Sequence, residues 1–168
     1  MIRKIMGIDH AIRYGMALYI ENEGDISIET FTNTLTCKDN NDKFIEWYKV
    51  LNNSLDLYKP DVICTEQPKH LRNPKVLQFL TGLYTITILV AKLKGITVVE
   101  CNPKTVKKAI TGNGNALKED VMNALRTEYN LTHEDLCHNV YYKDGIRIKE
   151  IHYDKSDALA LVHYYLHI

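Results

Sequence analysis

The sequence carries no net charge: 21 lysines and arginines balance 21 aspartates and glutamates, and the bare sum argues against a polyanionic partner. It has no Cys-x-x-Cys pair. Cys37, Cys64, Cys101 and Cys137 stand far apart, which excludes a zinc ribbon or a redox dithiol and suits a reduced, cytoplasmic protein. Long apolar runs are missing as well. The opening stretch to Asp9 is too short for a secretory signal, and the most apolar region is interrupted by Thr85, Thr87 and Lys92, so no membrane segment is expected. No repeat, low-complexity tract or linker is visible. What remains is a chain of 168 residues, 45% hydrophobic and 25% charged, which is the profile of one globular domain over 1–168. Such a chain can bury a core without disulfide or metal support.

The balanced charge hides a segregation. From Gln67 to Lys118 nine basic residues (Lys69, Arg72, Lys75, Lys92, Lys94, Lys104, Lys107, Lys108, Lys118) stand against one acid, Glu100, a local charge of +8 that leaves −8 for the rest. Either these are scattered solubilising positions, or they form one positive face of the kind a phosphate backbone selects.

Hydrophobic periodicity orders the elements. Ile5 to Asp9, Gly15 to Ile20 and Ile26 to Leu35 read as three antiparallel strands. Phe44, Tyr48, Leu51, Leu55 and Tyr58 then mark one face of a helix that Pro60 follows. Asp61 to Glu66 is a compact strand ending in an acid. The helix from Lys75 to Lys94 carries two apolar stripes, Leu77, Leu80, Tyr84, Ile88, Ala91 and Val76, Phe79, Leu83, Ile86, Val90. One stripe is expected on the sheet; the other either faces a second subunit, the preferred reading, or lies under other elements of the fold. Ile96 to Glu100 is a further strand, Asn102-Pro103 opens a short helix to Ile110, and Asn115 is the expected cap of a helix from Ala116 to Tyr129. Asp144-Gly145 marks a hairpin across 139–150, and a last helix runs from Asp154. The order implies an α/β fold with a central sheet flanked by helices.

Sites in open α/β sheets commonly lie beyond the carboxyl ends of strands. Asp9 and Glu66 each end a strand, and Asp154 and Asp157, three apart, share one helix face. Each alone suits a surface or capping position, since acids are favoured in a first helical turn. Four carboxylates brought together would repel unless a cation neutralised them, and an all-oxygen donor set points to Mg²⁺ or Mn²⁺. Two such ions roughly 4 Å apart can drive phosphodiester hydrolysis.

The motifs Gly7-Ile8-Asp9, Thr65-Glu66-Gln67, Val106-Lys107-Lys108 through Gly112-Asn113-Gly114 to Lys118, and Asp154-Lys155-Ser156-Asp157-Ala158-Leu159-Ala160 resemble the RuvC family of Holliday-junction resolvases, within the RNase H-like superfamily. Order and approximate spacing agree over nearly the whole chain. The resemblance implies a mixed five-stranded sheet, metal-binding catalytic roles for Asp9, Glu66, Asp154 and Asp157, and phosphate-backbone contacts by Lys107 and Lys118. Lys69, Arg72, Lys104 and Lys108 of the basic segment join them as DNA-binding candidates. Gly112 and Gly114 would let backbone amides reach phosphate, beside a helix N-terminus that favours an anion. No Gly-Lys-Ser/Thr follows, so this is not a nucleotide P-loop.

Three departures from the family pattern stand out. His10-Ala11-Ile12-Arg13 replaces the usual Pro-Gly turn after the first acid. Pro68-Lys69-His70 replaces the aromatic residue that stacks on opened bases. The stretch between Lys118 and Asp154 is longer than in relatives, and its Lys143, Arg147 and Lys149 either touch DNA or a partner subunit or form a solvated edge. Tyr141-Tyr142 is the one pair suited to base stacking. Cys137-His138 near His133 and His152 matches no zinc-ligand spacing, and of the seven histidines only His10, beside Asp9, stands where it can aid the site.

The expected activity is therefore a Mg²⁺-dependent endonuclease, with Mn²⁺ able to substitute, that nicks four-way DNA junctions as a homodimer through the helix 75–94. The alternatives are a broader debranching nuclease acting also on flaps and replication forks, or a catalytically silent branched-DNA-binding module. An actin-like or sugar-kinase ATPase needs two domains, more than 168 residues can hold. A compact member without the aromatic leans toward a phage-encoded protein of the bacterial cytoplasm.

Overall fold

The computed structural model describes residues 2–69, 72–141 and 149–168. Strands β1 (Ile2–Asp9), β2 (Arg13–Asn22) and β3 (Asp25–Thr34) form an antiparallel meander. Helix α1 (Asn40–Tyr58) leads to β4 (Val62–Glu66), and α2 (Pro74–Leu93) to β5 (Thr97–Cys101). Then come α3 (Pro103–Thr111), α4 (Lys118–Glu128), the single turn α5 (His133–Leu136), the antiparallel pair β6 (His138–Tyr141) and β7 (Lys149–His152), and α6 (Asp154–Leu166). The sheet order is β3-β2-β1-β4-β5, with β4 parallel to both β1 and β5. This is the mixed five-stranded sheet expected. The expected hairpin is present in β6 and β7, while its turn, Asp144-Gly145 included, lies outside the described residues.

The two helices that follow β4 and β5 begin alike. Asn73 and Asn102 each accept hydrogen bonds from the second and third amides beyond them, and Pro74 and Pro103 fill first-turn positions whose missing N–H costs nothing. Helix α4 differs from expectation. It starts at Lys118, and its terminus is closed by the Asp120 carboxylate accepting from the Leu117 amide at 3.0 Å, not by Asn115.

Alternation along the strands divides the core in two. Ile5, Ala17, Tyr19, Cys64 and Cys101 pack under α3, α4, α5 and α6. Met6, Ile8, Tyr14, Met16, Leu18 and Ile63 pack under α1 and α2. On α1 the buried face is Trp47, Leu51 and Leu55, whereas Tyr48 is 48% exposed. Trp47 is drawn inward because its indole N–H finds Leu83 O and Thr87 Oγ1 on α2, both at 3.1 Å.

Helix α2 is, among the described residues, long and apolar enough to cross a membrane by length and composition. It packs instead on α1 and the sheet through Phe79, Leu83, Tyr84, Thr87, Val90 and Ala91. Both sequence stripes thus contribute to burial, and the apolar surface left over is Val76, Leu89 and Leu93.

Candidate active site

Strand parity sets the site. Ile5 and Gly7 face α6, so the period of two places Asp9 on that side at the end of β1. Glu66 comes two residues after Cys64, which faces the same way. Ile8 lies opposite Thr65 in the parallel ladder, so Asp9 and Glu66 follow at adjacent strand ends.

Helix α6 completes the arrangement because two glycines let it lie directly on the strands. A Cβ on Gly7 would overlap the carbonyl oxygen of Ala158, and one on Gly15 would overlap that of Asp154. Gly15 is the cross-strand partner of Asp9. The first turn of α6, which carries Asp154 and Asp157, is therefore seated beside the first acid.

Asp9, Glu66 and Asp157 line one cleft of about 190 Å³, together with Lys107, Lys118, Val106 and Val121. Asp154 does not line it. Its carboxylate is held by Arg13 Nε at 2.5 Å, and the same guanidinium contacts His152 Nδ1. Asp157 is paired with the Lys118 ammonium.

The acids repel one another. Burial, then the Asp157 charge, push the Asp9 carboxyl well above its ordinary range; Lys118 opposes the shift, and Glu66 and Asp154 add to it. Burial and Asp157 likewise lift Glu66 to about 7, against the pull of Lys118 and Lys107. Asp157 is raised by burial despite its ion pair. Burial works against the Lys118 charge, but Asp157, Asp9 and Asp154 outweigh it and hold the ammonium above its usual value.

This donor set is hard oxygen only, and its uncancelled negative charge fits a divalent cation such as Mg²⁺. As they stand, no three Asp, Glu, His or Cys groups among the described residues are gathered closely enough to hold an ion. Arg13 on Asp154 and Lys118 on Asp157 occupy carboxylates that a cation would need.

The basic candidates fall into three groups. Lys107 and Lys118 line the cleft itself, and Lys107 Nζ also donates to Ala116 O at 2.8 Å, tying α3 to the approach of α4. Lys69 and Lys104 line an adjoining groove of about 610 Å³ that shares Asp9 and Glu66. Arg72 and Lys108 are exposed and line neither.

The loop between α3 and α4 is built for its own closure. Gly112 ends α3 in the left-handed region at φ 76°, and Gly114 packs against the Lys104 carbonyl. The amides of Gly112, Asn113, Asn115 and Ala116 donate to Lys108 O, Thr111 Oγ1, Asn113 Oδ1 and Asn113 O. These four donors, and the Leu117 amide on Asp120, are already used, whereas the Gly114 amide is not among them.

Arg13 and Gly15 belong to the site although the chain pattern gave them no role in it, and Gly7 stood only as a letter of the first motif. Glycine inside a strand does signal close backbone approach, and that was the available clue for two of them. His10 is buried beside the groove, and burial lowers its imidazole to about 3. Tyr142, Lys143 and Arg147 lie outside the described residues, as do the Tyr141 and Lys149 side chains.

The family model described as "Crossover junction endodeoxyribonuclease RuvC" matches residues 5–152. The RuvC protein of Prochlorococcus marinus subsp. pastoris is 31% identical over 133 residues, 77% of this chain and 83% of the relative. That of Caldanaerobacter subterraneus subsp. tengcongensis is 28% identical over 131 residues, covering 76% and 79%. Among solved structures, Thermus thermophilus RuvC in complex with a Holliday junction substrate superposes with a TM-score of 0.76 at 18% identity, over 98% of this chain and 93% of the other. The yeast mitochondrial Holliday junction resolvase gives 0.68 at 16% identity, over 98% and 78%.

Proposed function

The chain belongs to the RuvC family of crossover junction endodeoxyribonucleases, and from that premise we propose that it nicks four-way DNA junctions by metal-dependent phosphodiester hydrolysis. The observation that carries this reading is the convergence of Asp9, Glu66 and Asp157 in one cleft walled by Lys107 and Lys118.

Asp9, Glu66 and Asp157 would hold the cation once drawn closer and once Asp157 leaves Lys118, with Asp154 joining when it leaves Arg13. Mg²⁺ is the expected ion, and Mn²⁺, with the same oxygen preference, substitutes. When bound, such ions supply an activated water and stabilise the leaving oxygen. The protein's own groups do the rest. Lys118 and Lys107 offer positive charge to the phosphate that enters the cleft, and Lys69 and Lys104 extend that field along the groove where the strand arrives. The apolar walls, Val106 and Val121, reduce the water around these charges and strengthen their interactions.

A homodimer matches the two-fold symmetry of a four-way junction, placing one site at each strand to be cut. The residual apolar surface of α2, Val76, Leu89 and Leu93, supports it as the dimer face. The four cysteines stand as thiols and form no disulfide, which accords with a reducing cytoplasm.

The test is incubation with labelled four-way junctions, flaps and linear duplex, in Mg²⁺ and in chelator. Paired nicks in the junction, dependent on metal, are expected, and no cleavage of any branched DNA with metal present would sink the proposal. A second reading, a debranching nuclease with little sequence preference, is favoured by the exposed Lys69 where an aromatic residue would stack on bases. Comparable cutting of flaps and junctions would select it.

A further inference from the structure

The β1–β4 ladder stops one residue short of the acids it positions. Its last pair is Ile8 with Thr65. Beyond it, Asp9 is paired outward to Gly15 on β2 and Glu66 outward to Cys101 on β5, so each carboxylate-bearing residue is tied by its ladder to a different neighbour. The ladder brings Asp9 and Glu66 to adjacent strand ends but has no pair that joins the two residues directly.

A side-chain network crosses that gap. His10, next to Asp9, places Nδ1 3.0 Å from the hydroxyl of Thr65, next to Glu66, and Nε2 2.8 Å from the hydroxyl of Thr87 on α2. Thr87 donates to Leu83 O at 3.0 Å and accepts from Trp47 Nε1 at 3.1 Å, so its remaining lone pair takes the His10 Nε2–H. Nδ1 is then the acceptor, and the Thr65 hydroxyl is shared between it and Ile8 O at 3.1 Å. His10, Thr65 and Thr87 are all buried, and the imidazole meets the Trp47 and Tyr84 rings edge-on. A connected and satisfied buried network of this kind rigidifies what it links.

We propose that His10 is a positioning residue, which through Thr65 sets the spacing of Asp9 and Glu66 and so the affinity of the carboxylate cluster for its cation. The inference rests on the metal-dependent reading above. His10 touches no reacting atom, since its two ring nitrogens are both committed to threonine hydroxyls. It acts as outer-shell partners of metal sites do, holding the ligands in register, where loss of such a partner typically weakens metal affinity or activity by about 10–100-fold.

Thr65→Val keeps the side-chain shape and removes the hydroxyl; Thr65→Ser keeps the hydroxyl; His10→Leu removes both bonds. Mn²⁺ affinity is measured by calorimetry on the DNA-free protein, junction affinity in chelator, and single-turnover cutting across Mn²⁺ concentrations. Thr65→Val and His10→Leu should bind Mn²⁺ about 10–100-fold more weakly, regain most of their cutting rate at high Mn²⁺, and bind junctions as the unaltered chain does. Thr65→Ser should restore Mn²⁺ affinity. Should His10→Leu fail to fold, Thr65→Val carries the test. Unchanged Mn²⁺ affinity and cutting in Thr65→Val, whatever its melting temperature, would overturn the inference while leaving the parent reading intact. An unaltered chain that takes up no divalent ion would overturn both.

Discussion

The two faces of the central sheet use the same strands to opposite ends. Under α1 and α2, polar groups are satisfied: Trp47, Thr87, His10 and Thr65 close a hydrogen-bonded chain among Met6, Ile8, Leu51 and Leu83. On the α6 face, at the same strand ends, Asp9, Glu66 and Asp157 are forced together with an ion pair on Asp157 alone, from Lys118, while Arg13 holds Asp154 outside the cleft. Neighbouring residues take opposite parts. Ile8 is core and Asp9 is site; Thr65 is network and Glu66 is site. One side keeps the strand ends in place, and the other exploits that rigidity to keep charges where they would not settle alone.

Replacing Asp9 with Asn should break the comparison most sharply. Loss of one metal-holding carboxylate removes several kcal/mol of transition-state stabilisation, so junction cutting falls by about a thousandfold or more, read as labelled product per unit time. Junction binding in chelator should persist. Because Asp9 is buried and repelled by its neighbours, the metal-free variant should melt at or above the temperature of the unaltered chain. A marked drop in melting temperature would contradict the electrostatic account.

Leu51→Ala belongs to the other face and should do the reverse. Deleting a fully buried leucine costs about 2–5 kcal/mol of stability, measured by urea unfolding, with cutting per folded molecule preserved. Gly15→Ala tests the seam between the faces. The added Cβ displaces the first turn of α6, costing about 1–3 kcal/mol and weakening cutting together, since Asp154 and Asp157 move with that turn.

The smallest effect is a pH dependence. Glu66 titrates at about 7 when folded and near its ordinary value when unfolded, so the folded state holds the proton longer. Its stabilising contribution is present below the unfolded value and is lost as pH rises through about 7. The metal-free protein should thus melt at a lower temperature at pH 8 than at pH 5. Saturating Mg²⁺ should flatten that slope by taking the place of the protons. Glu46 and Asp135, held low by hydrogen bonds from Thr36 and Thr132, act with the opposite sign, and their stabilisation is lost only at more acid pH.

Much of this was readable in the chain because the signals are local. Apolar runs ending in an acid located Asp9 and Glu66, and a spacing of three put Asp154 and Asp157 on one turn of a helix. The Asn102-Pro103 pair announced α3. Other features depend on distant partners that no window contains. Arg13 claims Asp154 from 141 residues away. Trp47 displaces Tyr48 from the core only because α2 supplies acceptors for its indole N–H. Asn115 looked like a helix cap by composition, yet Asp120 closes that terminus from inside the first turn. Of the loop glycines read as phosphate contacts, Gly112 has its amide tied to Lys108 O by the helix end, a bond that only the folded chain reveals.

The acids that line the cleft come from positions 9, 66 and 157 of a chain of 168. Along the order of synthesis, every candidate DNA-contacting lysine is made before the helix that brings the last acid. Hydrolysis waits on the docking of α6, one of the longest-range contacts in the fold and among the most costly in loop entropy to form. With Asp157 in the proposed metal cluster, the late place of that helix in the chain would make completion of folding a condition of cleavage.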